Sequence, residues 1–525
     1  MKFPNGSFSP FLSHDDWIKK NLKKPTPLSH LPSIPEFYAN KEIFVTGFSG
    51  FIGKVLIEKL LRSCPKIKAI YVLLRAKKGQ TIEERLKTLT KQVVFDLLRK
   101  ENPNFAEKII PIEGDVMELN LGISNKNFEK IKNVSIVFHS AASIRFDDNL
   151  KFAVLTNTRG TREVMRLAEK MKNIKVVMHV STTYSNVYLE TVEEKIYPPL
   201  VDWEKTIKIC EESDQNQVDI LTHHYINFMP NTYVFSKNLA EHCSYSFHDQ
   251  LPIIIFRPSI VVSSHVEPFA GYVDNFNGPM GILLASAVGI TKTMYCDEKN
   301  VLDCLPVDVC VKAMIVSAWK RAHEIDNTPP VMNAACANQF KVTIKQFLDM
   351  GIHGICEEFP MGKKMVFLPF GGVTLCKTWN FIRLIFMQLS LAVLVDAILK
   401  VKGKRPRIMK LQRKIYEANK ALGHFVTHNW NFKNESFINL CTYLKPEDVS
   451  SFDYRPFFTT DVINFGRYVC YGFRRYLLKL KDEDLEKDRK NVKLMLFAVT
   501  IFKCLGAFII FGLIFFKYNG NYFFQ

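Results

Sequence analysis

Between Thr46 and Gly53 the chain reads Thr-Gly-Phe-Ser-Gly-Phe-Ile-Gly, with the apolar run EIFVTG leading into it and the amphipathic segment KVLIEKLLR leading out. Glycines at 47, 50 and 53, set between a strand and a helix, meet three separate demands. These are a tight turn, close approach of backbone to a pyrophosphate, and close packing of helix on strand. The helix N-terminus adds unpaired amides and the positive end of a dipole, both of which favour phosphate. The loop formed by Thr46, Gly47, Phe48, Ser49, Gly50, Phe51, Ile52 and Gly53 is therefore expected to cradle a dinucleotide.

Five further apolar runs follow, AIYVLLR, KIIPIEGDV, VSIVFHSAA, VVMHVST and PIIIFRPS, separated by segments of helical period. Near-continuous apolar strands alternating with helices imply a parallel sheet covered on both faces, hence an α/β, doubly wound fold of Rossmann type. The second run ends at Arg75, with Lys77 just beyond. An NAD enzyme places an acid there and an NADP enzyme a cation, so NADPH is the expected cofactor. Asp115 and Val116 follow the third run, where a carboxylate can bond the adenine amino group or belong to ordinary loop chemistry. Ala141 and Ala142 would line the nucleotide cleft with small side chains.

Tyr233 and Lys237 stand four apart in NTYVFSKNLAEH, so on a helix both side chains share one face. An isolated tyrosine titrates near ~10 and is a poor acid–base group at neutral pH. A neighbouring ammonium and an oxidised nicotinamide favour its phenolate and bring it nearer the working range. The fifth run ends in Ser181 and Thr182, either of which can donate to a carbonyl oxygen. Asn157, between the fourth and fifth runs, suits a water anchor, a partner for the lysine or a helix cap. A second Tyr-x-x-x-Lys, Tyr416 to Lys420, has no strand leading to it. Hydroxyl, tyrosine and lysine in that order downstream of a glycine loop are the pattern of a short-chain dehydrogenase.

From about residue 40 onward the chain resembles the fatty acyl-CoA reductases, a family within the extended short-chain dehydrogenases. The resemblance rests on TGFSGFIGK, LLRAKKGQTIEERL, VFHSAASIRFDDNL, MHVSTTYSNV, TYVFSKNLAE, RPSIVVSSHVEPFAGYVDNFNGPMG and LPVDVCVKAMI, and later on HNWNFKNES, FDYRPF and GFRRYLLK. Related sugar-nucleotide reductases share the glycines and the Tyr/Lys pair but not the EPFAGYVDNFNGPMG stretch. Two positions depart from the usual pattern: Phe48-Ser49 in the glycine loop, and Phe465 where tryptophan is common. The resemblance implies reduction of a long-chain fatty acyl-CoA to a primary alcohol through a retained aldehyde, with NADPH as reductant. It implies roles for Tyr233, Lys237, and Thr182 or Ser181. Another extended dehydrogenase acting on a sterol or sugar nucleotide, or a lipid-binding scaffold, would keep fewer of these features.

The charge is uneven. Of 70 Lys and Arg and 52 Asp and Glu, residues 361–525 hold 27 and 12, so the first 360 residues are nearly neutral. No nucleic-acid module accompanies the basic third, and nucleic acid is not an expected partner. Twelve cysteines without C-x-x-C spacing argue against zinc ribbons, and the His424/His428 pair lacks companion histidines, so no metal is expected. Leu494 to Phe516 is an apolar stretch of 23 residues, long enough to cross a bilayer. Its Lys/Arg-rich upstream flank places the catalytic part on the cytosolic side of an intracellular membrane, whether endoplasmic reticulum, peroxisome or lipid droplet. Leu384 to Leu399 is shorter, includes Gln388 and Asp396, and runs into KVKGKRPRIMKLQRK. It suits an interfacial or re-entrant segment with a collar for lipid headgroups or CoA phosphates, or a core helix with a basic face. The expected organisation is a leader (1–39), a reductase domain (40–345), a linker (346–380), a membrane-associated segment (381–410), a C-terminal domain (411–490) and an anchor (494–516).

Overall fold

The computed structural model describes residues 30–520, apart from 78, 227–228, 325, 327, 355–357 and 370. Most of the expected leader lies outside the described residues. Its end departs from the irregular chain expected: Ile34–Tyr38 is a short helix with a Ser33/Glu36 capping box. Apolar Ile34 and Tyr38 are fully buried, and the Tyr38 hydroxyl donates to the Ile315 carbonyl at 3.0 Å.

All six apolar runs are strands: β1 (Glu42–Thr46), β2 (Ala69–Leu74), β3 (Ile109–Glu113), β4 (Ile136–His139), β5 (Val176–Val180) and β6 (Ile253–Pro258). A seventh, β7 (Val331–Ala334), completes a parallel sheet of order β7-β6-β5-β4-β1-β2-β3. This is the doubly wound arrangement, in which the order reverses beside β1 and opens a crevice at the carboxyl ends of β1 and β4. Five helices of interest follow in chain order. They are α1 (Phe51–Ser63); α2, which starts as Leu150–Ala153, widens into a π turn at Val154–Arg159 and ends as Gly160–Glu169; α3 (Thr232–Tyr245); α4 (Val307–Arg321); and α5 (Lys377–Val401). Alternation along the strands sends Phe44, Val137, Val177 and Ile255 into one core with Val164 and Met165 of α2. α1 packs on α4, and α2 on α3.

The EPFAGYVDNFNGPMG stretch is held to α1 by charge. Glu267 pairs with Lys59 and Arg62 at 2.6 Å and with Lys312 of α4 at 2.8 Å. Burial alone would push this carboxyl up, but Lys59, Lys312 and Arg62 hold it below the usual carboxylate range. Asp274 pairs with Lys54, the residue directly after the glycine loop. Removing Glu267 would take the shared carboxylate from Lys59 and Lys312 and leave Arg62 with Glu58, the costly direction for a buried cluster.

Contacts divide the chain into two interleaved units: 1–274 with 299–344 and 421–465, and 275–298 with 345–420 and 466–525. These units do not follow the linear boundaries expected from sequence. The segment 421–465 returns to the reductase unit because Asn431–Phe432 pairs in parallel with Thr191–Val192, and Asn333 of β7 donates to the Lys433 carbonyl at 2.8 Å. The expected linker 346–380 carries most of the helix Ile344–His353 and the strand Gly372–Thr374, which pairs with Thr293–Tyr295. The second unit also holds α5, the first part of α6 (Ile408–Thr427), and α7 (Leu485–Gly520).

Candidate active site

β1 ends at Thr46, whose carbonyl accepts from Ser140 Oγ at 2.8 Å and whose hydroxyl meets His139 Nδ1 at 2.8 Å and the Ala141 amide at 3.2 Å. These bonds bind the ends of β1 and β4 into one rim. Gly47 turns there with φ +85°, and a Cβ would lie 2.8 Å from the Ser140 and Ala141 backbone. At Gly53 a Cβ would lie 2.3 Å from the Gly47 carbonyl oxygen. Both positions therefore require glycine. Gly50 is the N-cap of α1, and the first amide satisfied within the helix is that of Lys54, to Gly50. The amides of Phe51, Ile52 and Gly53 stand at the open end, fit for a pyrophosphate.

At the end of β2, Arg75 is exposed and lies 3.4 Å from Asp115. Arg85, which sequence reasoning missed, reaches the same place and donates to the Arg75 carbonyl at 2.7 Å. Lys77 forms a bridge with Gln80. Asp115 accepts from the Met117 amide at 3.0 Å, and the Val116 carbonyl packs on Gly160 of α2, where no side chain would fit.

α3 is capped by Asn231, whose side chain accepts from the Val234 amide, and carries Tyr233 and Lys237 against the end of β5. Thr182 lies against the phenol: burial pushes the Tyr233 hydroxyl up to about 12, with a hydrogen bond to Thr182 opposing. The lowered value expected from a neighbouring ammonium is not what the structure gives. Lys237 turns its Nζ to the Val180 carbonyl at 2.7 Å, 3.5 Å from His179 Nε2. A protonated phenol is the form a proton donor needs. Burial also lowers Lys237 to about 8, against the pull of Glu241.

Ser181 and Thr182 point to different partners. Ser181 Oγ donates to Glu241 at 2.5 Å, while Thr182 faces Tyr233 and accepts from the Tyr184 amide at 3.2 Å. Glu241 also accepts from Ser185 at 2.8 Å and from Arg257 at 2.8 and 2.7 Å, and both charges are almost wholly buried. Sequence reasoning missed this pair, although two signals were present. Glu241 extends the four-residue spacing of Tyr233 and Lys237, and Arg257 is a charge inside an apolar strand.

Asn157 sits in the π turn of α2. Its amide donates to the Ser143 carbonyl at 3.0 Å and to Ser236 Oγ at 2.9 Å, while its oxygen accepts from the Ser143 amide at 2.8 Å. Both amide hydrogens are thus engaged away from Lys237, and the residue braces the loop after β4 against α3. Ala142 lies between this brace and the rim. Beyond Tyr233 stands an aromatic wall, with Phe146 5.7 Å from the Tyr233 ring and 5.2 Å from Phe425, and Tyr184 5.3 Å from Phe425. The rings of His424 and His428 lie 4.6 Å apart, tilted to each other, and both meet Trp430 at a tilt, at 5.6 and 6.0 Å.

Two family models match the chain, both described as male sterility protein: an NAD-binding one over residues 45–314 and Sterile over 387–480. The chain is 34% identical to fatty acyl-CoA reductase wat of Drosophila melanogaster, covering 91% of this chain and 93% of that protein. It is 36% identical to fatty acyl-CoA reductase 1 of Homo sapiens, covering 88% and 89%. Among solved structures, the terminal R domain of the myxalamid PKS-NRPS pathway aligns with a TM-score of 0.56 at 18% identity, over 85% of this chain and 93% of that one. The reductase (R) domain of a Mycobacterium tuberculosis nonribosomal peptide synthetase aligns at 0.54 and 15%, over 90% and 97%. These two structures share the fold. With the whole length of its relatives covered almost completely, the chain belongs to the fatty acyl-CoA reductase family.

Proposed function

We propose that the protein reduces a long-chain fatty acyl-CoA to the primary alcohol, releasing CoA and consuming two NADPH and two protons. The observation that carries this reading is the meeting of Thr182, Tyr233 and Lys237 at the carboxyl end of β5, in the sheet whose β1 carries the glycine loop. NADPH rather than NADH is supported by Arg75 and Arg85 at the end of β2, two cations where an NAD site places an acid.

The bound nicotinamide supplies hydride. Thr182 and Tyr233 donate hydrogen bonds to the acyl oxygen and stabilise its negative charge as it develops. Collapse of the tetrahedral species expels CoA as the thiolate and leaves the aldehyde. In the second reduction Tyr233, held protonated by burial, gives its proton to the alkoxide. Lys237 holds the cofactor's ribose and restores the proton to the phenolate through its ammonium. Phe146 and Phe425 screen the tyrosine from water on the substrate side, which favours retention of the aldehyde. Glu241 and Arg257 fix the floor beneath α3.

The membrane reading rests on two helices apolar and long enough to cross a bilayer, Lys377–Val401 and Asp482–Phe511. In our reading α7 is the anchor of an intracellular membrane, with the reductase unit on the cytosolic side. The experiment is to supply the purified chain with NADPH and palmitoyl-CoA, with a carbonyl trap present. One hexadecanol per two NADPH oxidised, with little trapped aldehyde, is the expected result. NADPH oxidation indifferent to acyl-CoA would overturn the proposal.

A further inference from the structure

α5 and α7 are both apolar, but they are held differently. α7 is tied to its unit at its first turns, where Asp488 pairs with the fully buried Arg474 at 2.7 Å and Arg489 donates to the Glu358 carbonyl at 3.0 Å. Beyond them Leu494, Phe497, Leu505 and Phe508 are exposed. α5 is tied along its length. Gln388, Ala392 and Asp396 recur every four residues and are buried, forming one inward stripe. Gln388 accepts from the Lys292 amide at 2.9 Å and donates to Gln412 at 2.6 Å, which in turn donates to the Ile290 carbonyl at 3.0 Å. Asp396 accepts from the amides of Arg407, Ile408 and Met409, each at 2.9 Å, and so caps α6.

The opposite face, with Trp379, Ile382, Phe386, Val393, Leu394 and Ile398, is exposed and apolar throughout. A continuous patch of this kind marks an interaction surface. Directly after it come eight Lys and Arg between Lys400 and Lys414 without an Asp or Glu among them, and every one is exposed. Apolar face, polar inward stripe and cationic end together match the surface of an anionic bilayer, where acyl chains take the first and headgroup phosphates the last.

We infer that α5 lies in the plane of an anionic membrane surface, as a second attachment beside α7, and does not cross the bilayer. Crossing would carry Gln388 and Asp396 into hydrocarbon together with the protein groups they bind, which only a helix freed from its unit could do. The inference rests on the membrane reading above and adds an arrangement to it.

The test uses the full chain, with Cys504→Ser, in vesicles containing phosphatidylserine. A membrane-impermeant maleimide is applied to the native Cys376, which is exposed at the start of α5, and to Lys402→Cys at its other end. Both are expected to react before detergent is added, from the side where the reductase unit is cleaved by protease. A bimane on Val393→Cys is expected to be quenched by brominated lipid. If either terminal site needs detergent, α5 spans and the inference fails. If both react but Val393→Cys is not quenched, something other than lipid covers the face and the inference fails equally. Chain that does not float with vesicles at all overturns the membrane reading itself. Replacing phosphatidylserine by phosphatidylcholine is expected to slow vesicle capture several-fold, and an unchanged rate would refute the headgroup role.

Discussion

The sequence holds two copies of Tyr-x-x-x-Lys on helices, and the structure treats them in opposite ways. Tyr233 and Lys237 lie on α3, with Lys237 at 3% exposure and bonded to the end of β5. Tyr416 and Lys420 lie on α6, with Tyr416 at 52% exposure and Lys420 also exposed. Helical spacing puts both pairs on one face. Only the first has a strand end delivering a hydroxyl, and burial there raises the Tyr233 phenol and lowers the Lys237 ammonium. A short motif gains chemical meaning from what the fold buries it against.

The comparison is most severely tested at Lys237. Lys237→Met is expected to lower alcohol formation by about 10²–10⁴, whereas Lys420→Met should leave it unchanged. Steady-state rates on the two variants check this, and equal losses would mean the motifs had been told apart wrongly. Thr182→Val removes a donor to the developing oxyanion and should lower kcat by about 10²–10³. Ser181→Ala breaks only a bond to Glu241 and should appear mainly as about 1–3 kcal/mol of lost stability in a denaturant melt. A reversal of these two patterns would exchange their roles.

pH separates activity from stability. The Lys237 ammonium is lost as pH rises through about 8, so kcat/KM, which reports the free enzyme, is expected to fall on the alkaline side. The linkage to stability has the opposite sign. A lysine lowered in the folded state binds fewer protons there than in the unfolded chain, so its contribution to stability rises with pH between about 8 and the unfolded value near ~10.4. A pH–rate profile and melts of wild type against Lys237→Met measure the two trends. Parallel trends would remove Lys237 from the mechanism.

Much of this was legible from residue patterns. Five of the six apolar runs, β1, β2, β4, β5 and β6, are strands apolar enough to be buried on both faces, and β3, at the edge of the sheet, is buried only at Ile109 and Ile112. β7 escaped notice because it has four residues and its Asn333 breaks the apolar pattern, its polarity being met by carbonyls distant in sequence. The glycine loop and the Tyr/Lys pair could be placed because their spacing is local. Glu241 with Arg257, the return of Phe425 to the tyrosine, and the division of labour between Ser181 and Thr182 depend on tertiary neighbours. Asn157 was visible as a candidate, but only the π turn of α2 shows that it braces Ser143 and Ser236 instead of Lys237. At α5, sequence supplied the apolar stretch and its two polar residues; their partners at Lys292, Gln412 and the start of α6 came with the fold.

The central claim is that Tyr233, and not its exposed counterpart, protonates the product. The direct measurement compares Tyr233→Phe with Tyr416→Phe for NADPH binding by fluorescence and for alcohol formed from palmitoyl-CoA by gas chromatography. Both variants should bind NADPH nearly as wild type does. Tyr416→Phe should form alcohol at the wild-type rate, and Tyr233→Phe should form almost none. Full turnover by Tyr233→Phe would contradict the claim.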